Sequence, residues 1–411
     1  MKINYYAYSI VIIAGFLFLG SCRKDKISPS QANTFIKYFG QNGNNIGGTV
    51  DQTTDGGYIL IGTSDAYGNG NQIIVQKTDK YGNAMWMQVI GGPGNDTGSF
   101  VKITADGGYL IAAARAEKGN SAYTDANLIK LNSDGSVGFD STYGYPNVND
   151  YGTRAISTMD GGYMLIGTTD STAFVGTHAF TPSKIFIAKT NASGMTSWTW
   201  KFGNANAANL GTSIQQLNDS IYFTSGSFVT DTSKNMLVTQ GRYQFGGKDY
   251  NFISNISKSA LPNPGNSEVI SASDIILGNA NNQYILGNCT SGIYLLNILN
   301  GTSQLSYKII GTVGLSAVAF SQTSDGGFVI AGNTINTSNG SSDILVVRTD
   351  ASGNVIWMKN YGGTGNDYGS FAKQTTDGGY IVSGTVQFGG DQTGANNVMA
   401  LFKLNSNGDL E

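Results

Sequence analysis

The sequence predicts an all-β chain: a seven-bladed β-propeller of four-stranded antiparallel blades, closed by an N-terminal strand that completes the last blade. Three observations carry this expectation. Asp-Gly-Gly followed by an aromatic recurs at Asp55, Asp106, Asp160, Asp325 and Asp377, each time ahead of an apolar run such as Tyr-Ile-Leu-Ile-Gly-Thr. Two degenerate copies, around Tyr222 and Tyr284, fill the gap. Seven aligned aromatics result (Tyr58, Tyr109, Tyr163, Tyr222, Tyr284, Phe328 and Tyr380), 44 to 62 residues apart. That spacing holds four short strands and their turns. Finally, the seventh repeat stops at Glu411, where its last strand should begin. The missing strand stands at the other end, because Phe35-Ile36-Lys37-Tyr38-Phe39-Gly40 aligns with Trp357-Met358-Lys359-Asn360-Tyr361-Gly362. Such closure removes open sheet edges, whereas a linear solenoid needs polar caps instead.

Within a repeat the strands follow in order. Strand a precedes the Asp-Gly-Gly, as in Phe100-Val101-Lys102-Ile103. Asp-Gly then makes a tight turn, since glycine accepts positive φ without a Cβ clash. Strand b is the Tyr-Ile-Leu-Ile run. Strand c reads as 73–79, 128–132, 185–191, 344–350 and 401–405. A second turn, such as 79–83 or 350–354, leads to strand d with its aromatic Trp86, Phe139, Trp198 or Trp357. These recur with the repeat, so they read as packing between blades. Strands c and d of the fourth repeat cannot be placed from sequence.

Composition narrows the function. Glycine is 57 of 411 residues and charged residues are 12%, about half the usual share. Apolar residues are 40%, enough for a large core and too many for a disordered chain. A net charge of −3 leaves no footprint for nucleic acid. One histidine and two cysteines leave almost nothing for a His/Cys metal centre or a Cys–His dyad. No cofactor is expected.

The N-terminus reads as an address. Residues 2–21 place a basic residue before a short apolar run and small residues before Cys22, the layout of a secretory signal. The run Ser9 to Gly20 is too short to span a membrane. Leu19-Gly20-Ser21-Cys22 resembles a bacterial lipobox, which implies cleavage before Cys22 and lipidation of that residue. The expected organisation is a signal peptide over 1–21, a polar tether over 22–33 and the propeller over 34–411. Cys289, in a strand-like setting, then has no intramolecular partner and reads as a small buried hydrophobe.

The repeat also resembles known families. Asp-Gly-Gly-Tyr, a strand ending Lys-x-Asp/Asn, Gly-Asn-x-x-Trp and Tyr-Gly-Gly together resemble the DGGY-type propeller repeats of secreted and lipid-anchored Bacteroidota proteins. Leu131-Asn132-Ser133-Asp134-Gly135-Ser136 looks like a relative of the delta-60 repeat. The blade ending Asp79, Gly82, Trp86 is similar to the tryptophan-docking motif of quinoprotein propellers, with a turn one residue shorter. Those enzymes have eight blades and a calcium-bound quinone. Seven repeats without a cofactor constellation do not carry that activity over. The resemblance covers about residues 34–411 and implies architecture, not chemistry.

Two sets of residues are candidates for a site. The a–b and c–d turns are short and stereotyped, whereas the b–c loops are long and different (64–72, 115–127, 169–183, 229–248 and 386–397). Function concentrates on variable loops over a rigid scaffold, so the b–c/d–a face is the expected binding face. It offers Tyr67, Tyr123, Phe174, His178, Phe180, Phe228 and Phe388, which either stack on a ligand or pack the loops down. His178 is also the sole histidine, but no nucleophile or carboxylate pairs with it in sequence. The second set stands thirteen residues before each aligned aromatic: Asn45, Asp96, Asp150, Asn209, Ser271, Leu315 and Asp367, with glycine two residues later in five cases. These are expected to ring the channel mouth, as a weak cation site or, in the favoured reading, as Asx turns.

The function expected is therefore non-enzymatic: an outer-membrane lipoprotein, anchored at Cys22 and monomeric, binding a protein partner or a glycan on its loop face. The alternatives are a carbohydrate-active propeller enzyme, hydrolase or lyase, with Asp96, Asp150, Asp367 and His178 as candidates, and a structural subunit of an envelope complex. Cross-blade carboxylate pairs are invisible in sequence.

Overall fold

The computed structural model describes residues 34–410 except 41–42, 69, 118–119, 171–181, 205–206, 230–233, 243–270, 279–280, 300–304, 337–340 and 389–395. The segments expected as signal peptide and tether, with Cys22, lie outside the described residues, as do Phe174, His178 and Phe180.

The described residues form 27 strands, β1 to β27 in chain order. They make a β-propeller with four-stranded antiparallel blades. Six sheets have four strands, over 45–90, 97–143, 150–202, 271–310, 315–361, and 368–404 joined by 35–39. The sheet over 208–242 has three strands among the described residues. It supplies a strand c, Lys234–Arg242, where sequence reasoning had none.

The innermost strands are β2 (Asn45–Gln52), β6 (Thr97–Ile103), β10 (Asp150–Ser157), β14 (Ala208–Asn218), β17 (Ser271–Leu277), β21 (Leu315–Gln322) and β25 (Tyr368–Gln374). Each touches the next, and β25 returns to β2, so they enclose a ring. β1 (Phe35–Phe39) pairs antiparallel with β27 (Asn396–Leu404), with Phe35 opposite Lys403 and Phe39 opposite Met399. The first and last described strands thus share one blade, in which β1 is the outer strand.

Burial explains the alternation. Strands b and c are covered on both faces, and Tyr58–Ser64 and Gln72–Thr78 are buried throughout. Strand d is the rim and alternates, as in Ala84–Ile90. Its inward aromatic packs on the Asp-Gly-Gly aromatic of the next blade: Trp86 lies 5.9 Å from Tyr109, Phe139 5.5 Å from Tyr163 and Trp357 5.3 Å from Tyr380. Phe35 packs on Tyr58 at 6.0 Å, so β1 fills the tryptophan position of the last blade.

The a–b turn explains why five repeats share one sequence. In the first, Gly56 N donates to Thr53 O and Thr53 N to Gly57 O, each at 2.9 Å. Gly56 stands at φ 81°, where a side chain is strained. Gly57 is needed for a different reason: a Cβ there would lie 2.2 Å from the Thr78 carbonyl oxygen. Asp55 accepts from Thr53 Oγ1 and Gly57 N, and its carboxylate meets Lys77 Nζ at 2.8 Å. The nearly buried strand-c cation repeats this with Lys130 on Asp106 (3.0 Å), Lys189 on Asp160 (2.8 Å), Arg348 on Asp325 (2.5 Å) and Lys403 on Asp377 (3.0 Å). Burial is the largest influence on Asp55 and pushes its pKa up, but the bonds from Lys77, Thr53 and Gly57 bring it down to about 2. The same set holds Asp160 at about 2, and in Asp106 the Thr104 hydroxyl leads.

Two readings of the connections change, and so does that of Cys289. The stretch 115–127 is a hairpin rather than a loop, because Tyr109–Glu117 and Asn120–Leu131 run almost into each other. Their polar sequence carries no apolar alternation, since the hairpin projects past the core. The last b–c loop shortens too, as strand b extends to Phe388 and β27 begins at Asn396. Cys289 is half-buried, and its Sγ donates to Gly292 O at 3.4 Å.

Candidate functional site

The Asx-x-Gly pattern at the head of the innermost strand does two structural jobs. The glycine forms the joint between blades: a Cβ on Gly47 would lie 2.1 Å from Gly384 O, on Gly211 2.4 Å from Gly167 O and on Gly369 2.6 Å from Gly332 O. Its N–H donates to a side chain on strand b of the preceding blade. Gly47 N meets Thr385 Oγ1 at 3.0 Å, Gly98 N meets Thr63 Oγ1 at 3.0 Å, and Gly211 N meets Thr168 Oγ1 at 3.2 Å.

The Asx residue ties the d–a loop to strand b of its own blade. Asp96 accepts from Gly92 N at 2.7 Å and Ala116 N at 2.9 Å, and Asp367 from Gly363 N at 2.6 Å and Gln387 N at 2.9 Å. Asp150 accepts from Tyr145 N at 2.8 Å. Asn45 accepts from Ser64 Oγ at 2.6 Å, and Asn209 donates to the carbonyls of Ser183, Asn204 and Ala207. All five are buried. The expected ring of Asn45, Asp96, Asp150, Asn209 and Asp367 around the channel mouth is therefore corrected. Side chains alternate along a strand, and this register turns them into the loop packing. Burial pushes Asp150 up to about 6, with Asp125 and Asp170 adding to the rise; burial also raises Asp367, Asp125 and Asp343.

The residue between Asx and Gly emerges instead. Ile46, Tyr151, Leu210 and Tyr368 are all exposed, at 42–47%. Leu210 and Val318 line a cavity of about 490 Å³ inside the heads of the innermost strands. Ile46, Tyr151 and Tyr368 hold the position equivalent to Leu210. Hydroxyls dominate the cavity wall: Thr49, Ser99, Thr153, Thr212, Ser273 and Ser370. Ser271, the degenerate member of the Asx series, also lines it. The mouth on the b–c/d–a face is thus a hydroxylated bowl with an apolar rim.

Deeper in, the bowl narrows at Phe100 and Arg154, which also line a second cavity of about 240 Å³ at the turn-face end. The Arg154 guanidinium lies 4.8 Å from the Phe100 ring and 2.9 Å from Asp274 Oδ1. Asp274 is fully buried and also accepts from Ile275 N at 2.8 Å. Burial pushes its pKa up, against Arg154, so the pair bridges two blades across the channel.

The aromatics expected on the loops divide differently. Tyr67 is half-buried against the core, with its hydroxyl 3.7 Å from Met87 Sδ. Phe228 packs on the core of the neighbouring sheet, and Tyr123 lies half-buried in the long hairpin. Phe388 is exposed, with its ring edge-on to Tyr38 at 5.0 Å. None of these four lines the channel cavities. Sequence reasoning passed over the rim residues because they vary where their neighbours repeat. The available signal was an apolar residue set between Asx and Gly in four of the heads.

No family model matches the chain, and no curated protein is significantly similar to it. Solved structures are similar in fold. Puromycin hydrolase complexed with PGG aligns at a TM-score of 0.52 and 8% identity, over 88% of this chain and 52% of that one. An unknown-function protein from Dyadobacter fermentans aligns at 0.49 and 9%, over 90% and 97%. The chain spans about half the length of puromycin hydrolase, and at this identity the likeness shows the propeller fold alone.

Proposed function

We propose that this chain is a non-enzymatic outer-membrane lipoprotein, tethered through Cys22, whose seven-bladed propeller binds a glycan at the bowl on the b–c/d–a face. The three-stranded sheet over 208–242 is read as the fourth blade. The closed cycle of seven innermost strands supports this.

The observation that carries the binding reading is the bowl: hydroxyl walls lined also by Leu210, with Tyr151 and Tyr368 exposed at the strand positions equivalent to Leu210. Sugars stack on aromatic faces and exchange hydrogen bonds with hydroxyls. The absence of catalysis is supported by the fate of Asp96, Asp150 and Asp367. Their carboxylates accept from backbone N–H groups inside the loop packing and do not face the bowl. The apolar part of the rim (Ile46, Leu210 and Val318) favours a protein partner as the second reading.

Glycan-array binding by the chain, compared with the Tyr151→Ala/Tyr368→Ala double variant, tests this. The expected result is saccharide binding that falls at least about tenfold in the variant, the loss of two stacking contacts. Undiminished binding, or a variant-sensitive protein crosslink with no saccharide bound, overturns the glycan reading. Incorporation of a palmitate analogue that disappears in Cys22→Ser tests the anchor.

A further inference from the structure

The opposite end of the channel has a different chemistry. One register layer of the innermost strands brings Asp51, Lys102, Ile156, Gln215, Ser321 and Lys373 to the wall of the 240 Å³ cavity. Two of its charges are already matched. Lys373 Nζ lies 2.5 Å from Asp51 Oδ1, and Asp51 also accepts from Gln52 N at 2.9 Å and Ile103 N at 3.1 Å. Arg154 is spent on Asp274. The neutral polar groups are engaged as well: Gln215 donates to Ile275 O at 3.1 Å and Ser321 to Ala372 O at 2.9 Å.

Lys102 is left over. Among the described residues its ammonium has neither a carboxylate within ion-pair distance nor a hydrogen-bond partner. It faces the open channel and is exposed there. The walls around it are apolar, formed by Val50, Phe100, Ile276, Phe320 and Phe371. With Lys373 matched by Asp51 and Arg154 by Asp274, Lys102 leaves the cavity with a net positive charge in an otherwise acidic protein.

We propose that this turn-face cavity binds a small organic carboxylate, its carboxylate on Lys102 and its apolar body between Phe100, Phe320 and Phe371. A charge-assisted N–H···O bond inside apolar walls is stronger than one in water. The volume suits a ligand of modest size, and the apolar lining suits a hydrocarbon body. Desolvation lowers the Lys102 pKa, with Lys373 and Arg154 acting in the same direction and Asp51 and Asp274 against them. An incoming anion relieves that unfavourable setting. The site shares only Phe100 and Arg154 with the bowl and does not rest on the glycan reading. Two sources supply the chemistry: a free acid and the carboxylate at the end of a peptide chain.

Calorimetric titration of the propeller with 3-phenylpropionate, 3-phenylpropionamide, N-acetylphenylalanine and inorganic phosphate tests it. At least one organic acid is expected to bind about tenfold or more tightly than the neutral amide and phosphate. Lys102→Met should reduce that acid to the level of the amide, with melting unchanged because Lys102 holds no native bond. Tighter 3-phenylpropionate marks a free acid as the ligand, and tighter N-acetylphenylalanine marks a chain end. Equal binding of acid and amide, phosphate as tight as the acids, no acid bound at all, or full binding by Lys102→Met overturns the site. Tyr368→Ala, altered only at the other mouth, should leave this titration unchanged; its failure to do so would place the acid in the bowl and also overturn the assignment.

Discussion

The two faces of the propeller use aspartate in opposite ways. On the turn face, Asp55, Asp106 and Asp160 are partly exposed, and each is matched by a buried lysine, which helps hold its pKa near 2. On the loop face, Asp150 and Asp367 are buried with no cation against them among the described residues and are pushed upward, Asp150 to about 6. The turn face is uniform because each repeated aspartate has its cation within the repeat. The loop face repeats only what joins the blades and leaves one residue in three free. A position that recurs is one that the fold has claimed, and a position that varies between two recurring ones is available to a ligand.

The largest test of this contrast lies at adjacent residues. Gly369→Ala puts a Cβ only 2.6 Å from Gly332 O and should cost about 2–3 kcal/mol by displacing a blade joint. Tyr368→Ala removes an exposed ring and should stay within about 0.5 kcal/mol. Chemical denaturation of both variants measures it. Equal losses would mean that the rim residue is also structural.

How much of this was legible follows the same division. The five Asp-Gly-Gly turns, the strand-d aromatics and the return of β1 to the last blade are local chemistry repeated, and repetition is visible in one sequence. Lys234–Arg242 was not visible, because its repeat lacks the turn that frames a strand c. The hairpin over 109–131 was missed where Glu117 to Asp125 loses its apolar alternation. The channel charges were the hardest. Asp51, Lys102 and Lys373 are 51 and 271 residues apart, and only strand register brings them to one layer.

A smaller test concerns the loop face and pH. A carboxyl whose folded pKa lies above its unfolded value stabilises the fold when protonated, and that contribution is lost as pH rises. For Asp150 the window runs from the unfolded value near 4 to the folded value of about 6. At pH 7 the buried charge should cost on the order of 2 kcal/mol. Asn45 and Asn209 fill the same position in other repeats, so Asp150→Asn fits the site. Denaturation at pH 7 should show it more stable than wild type, and the gain should shrink toward pH 4. A gain independent of pH would assign the effect to packing instead.

The turn face should respond with the opposite sign and a smaller amplitude. Asp55, Asp106 and Asp160 titrate near 2 when folded and near 4 when unfolded, so their contribution is present above pH 4 and is lost as pH falls toward 2. Their side chains are 53–64% exposed, so water and salt screen each pair, and each should be worth less than about 1 kcal/mol. Asp106→Asn keeps the Thr104 and Gly108 bonds possible while removing the charge opposite Lys130. It should therefore lower stability slightly at pH 7 and make little difference at pH 2, where the wild-type carboxylate is about half protonated when folded and almost fully protonated when unfolded. High salt at pH 7 should weaken the wild type toward the variant. If the two still differ at pH 2, the aspartate acts through the geometry of the turn and not through its charge. The contrast between the faces would then rest on Asp150 and its burial.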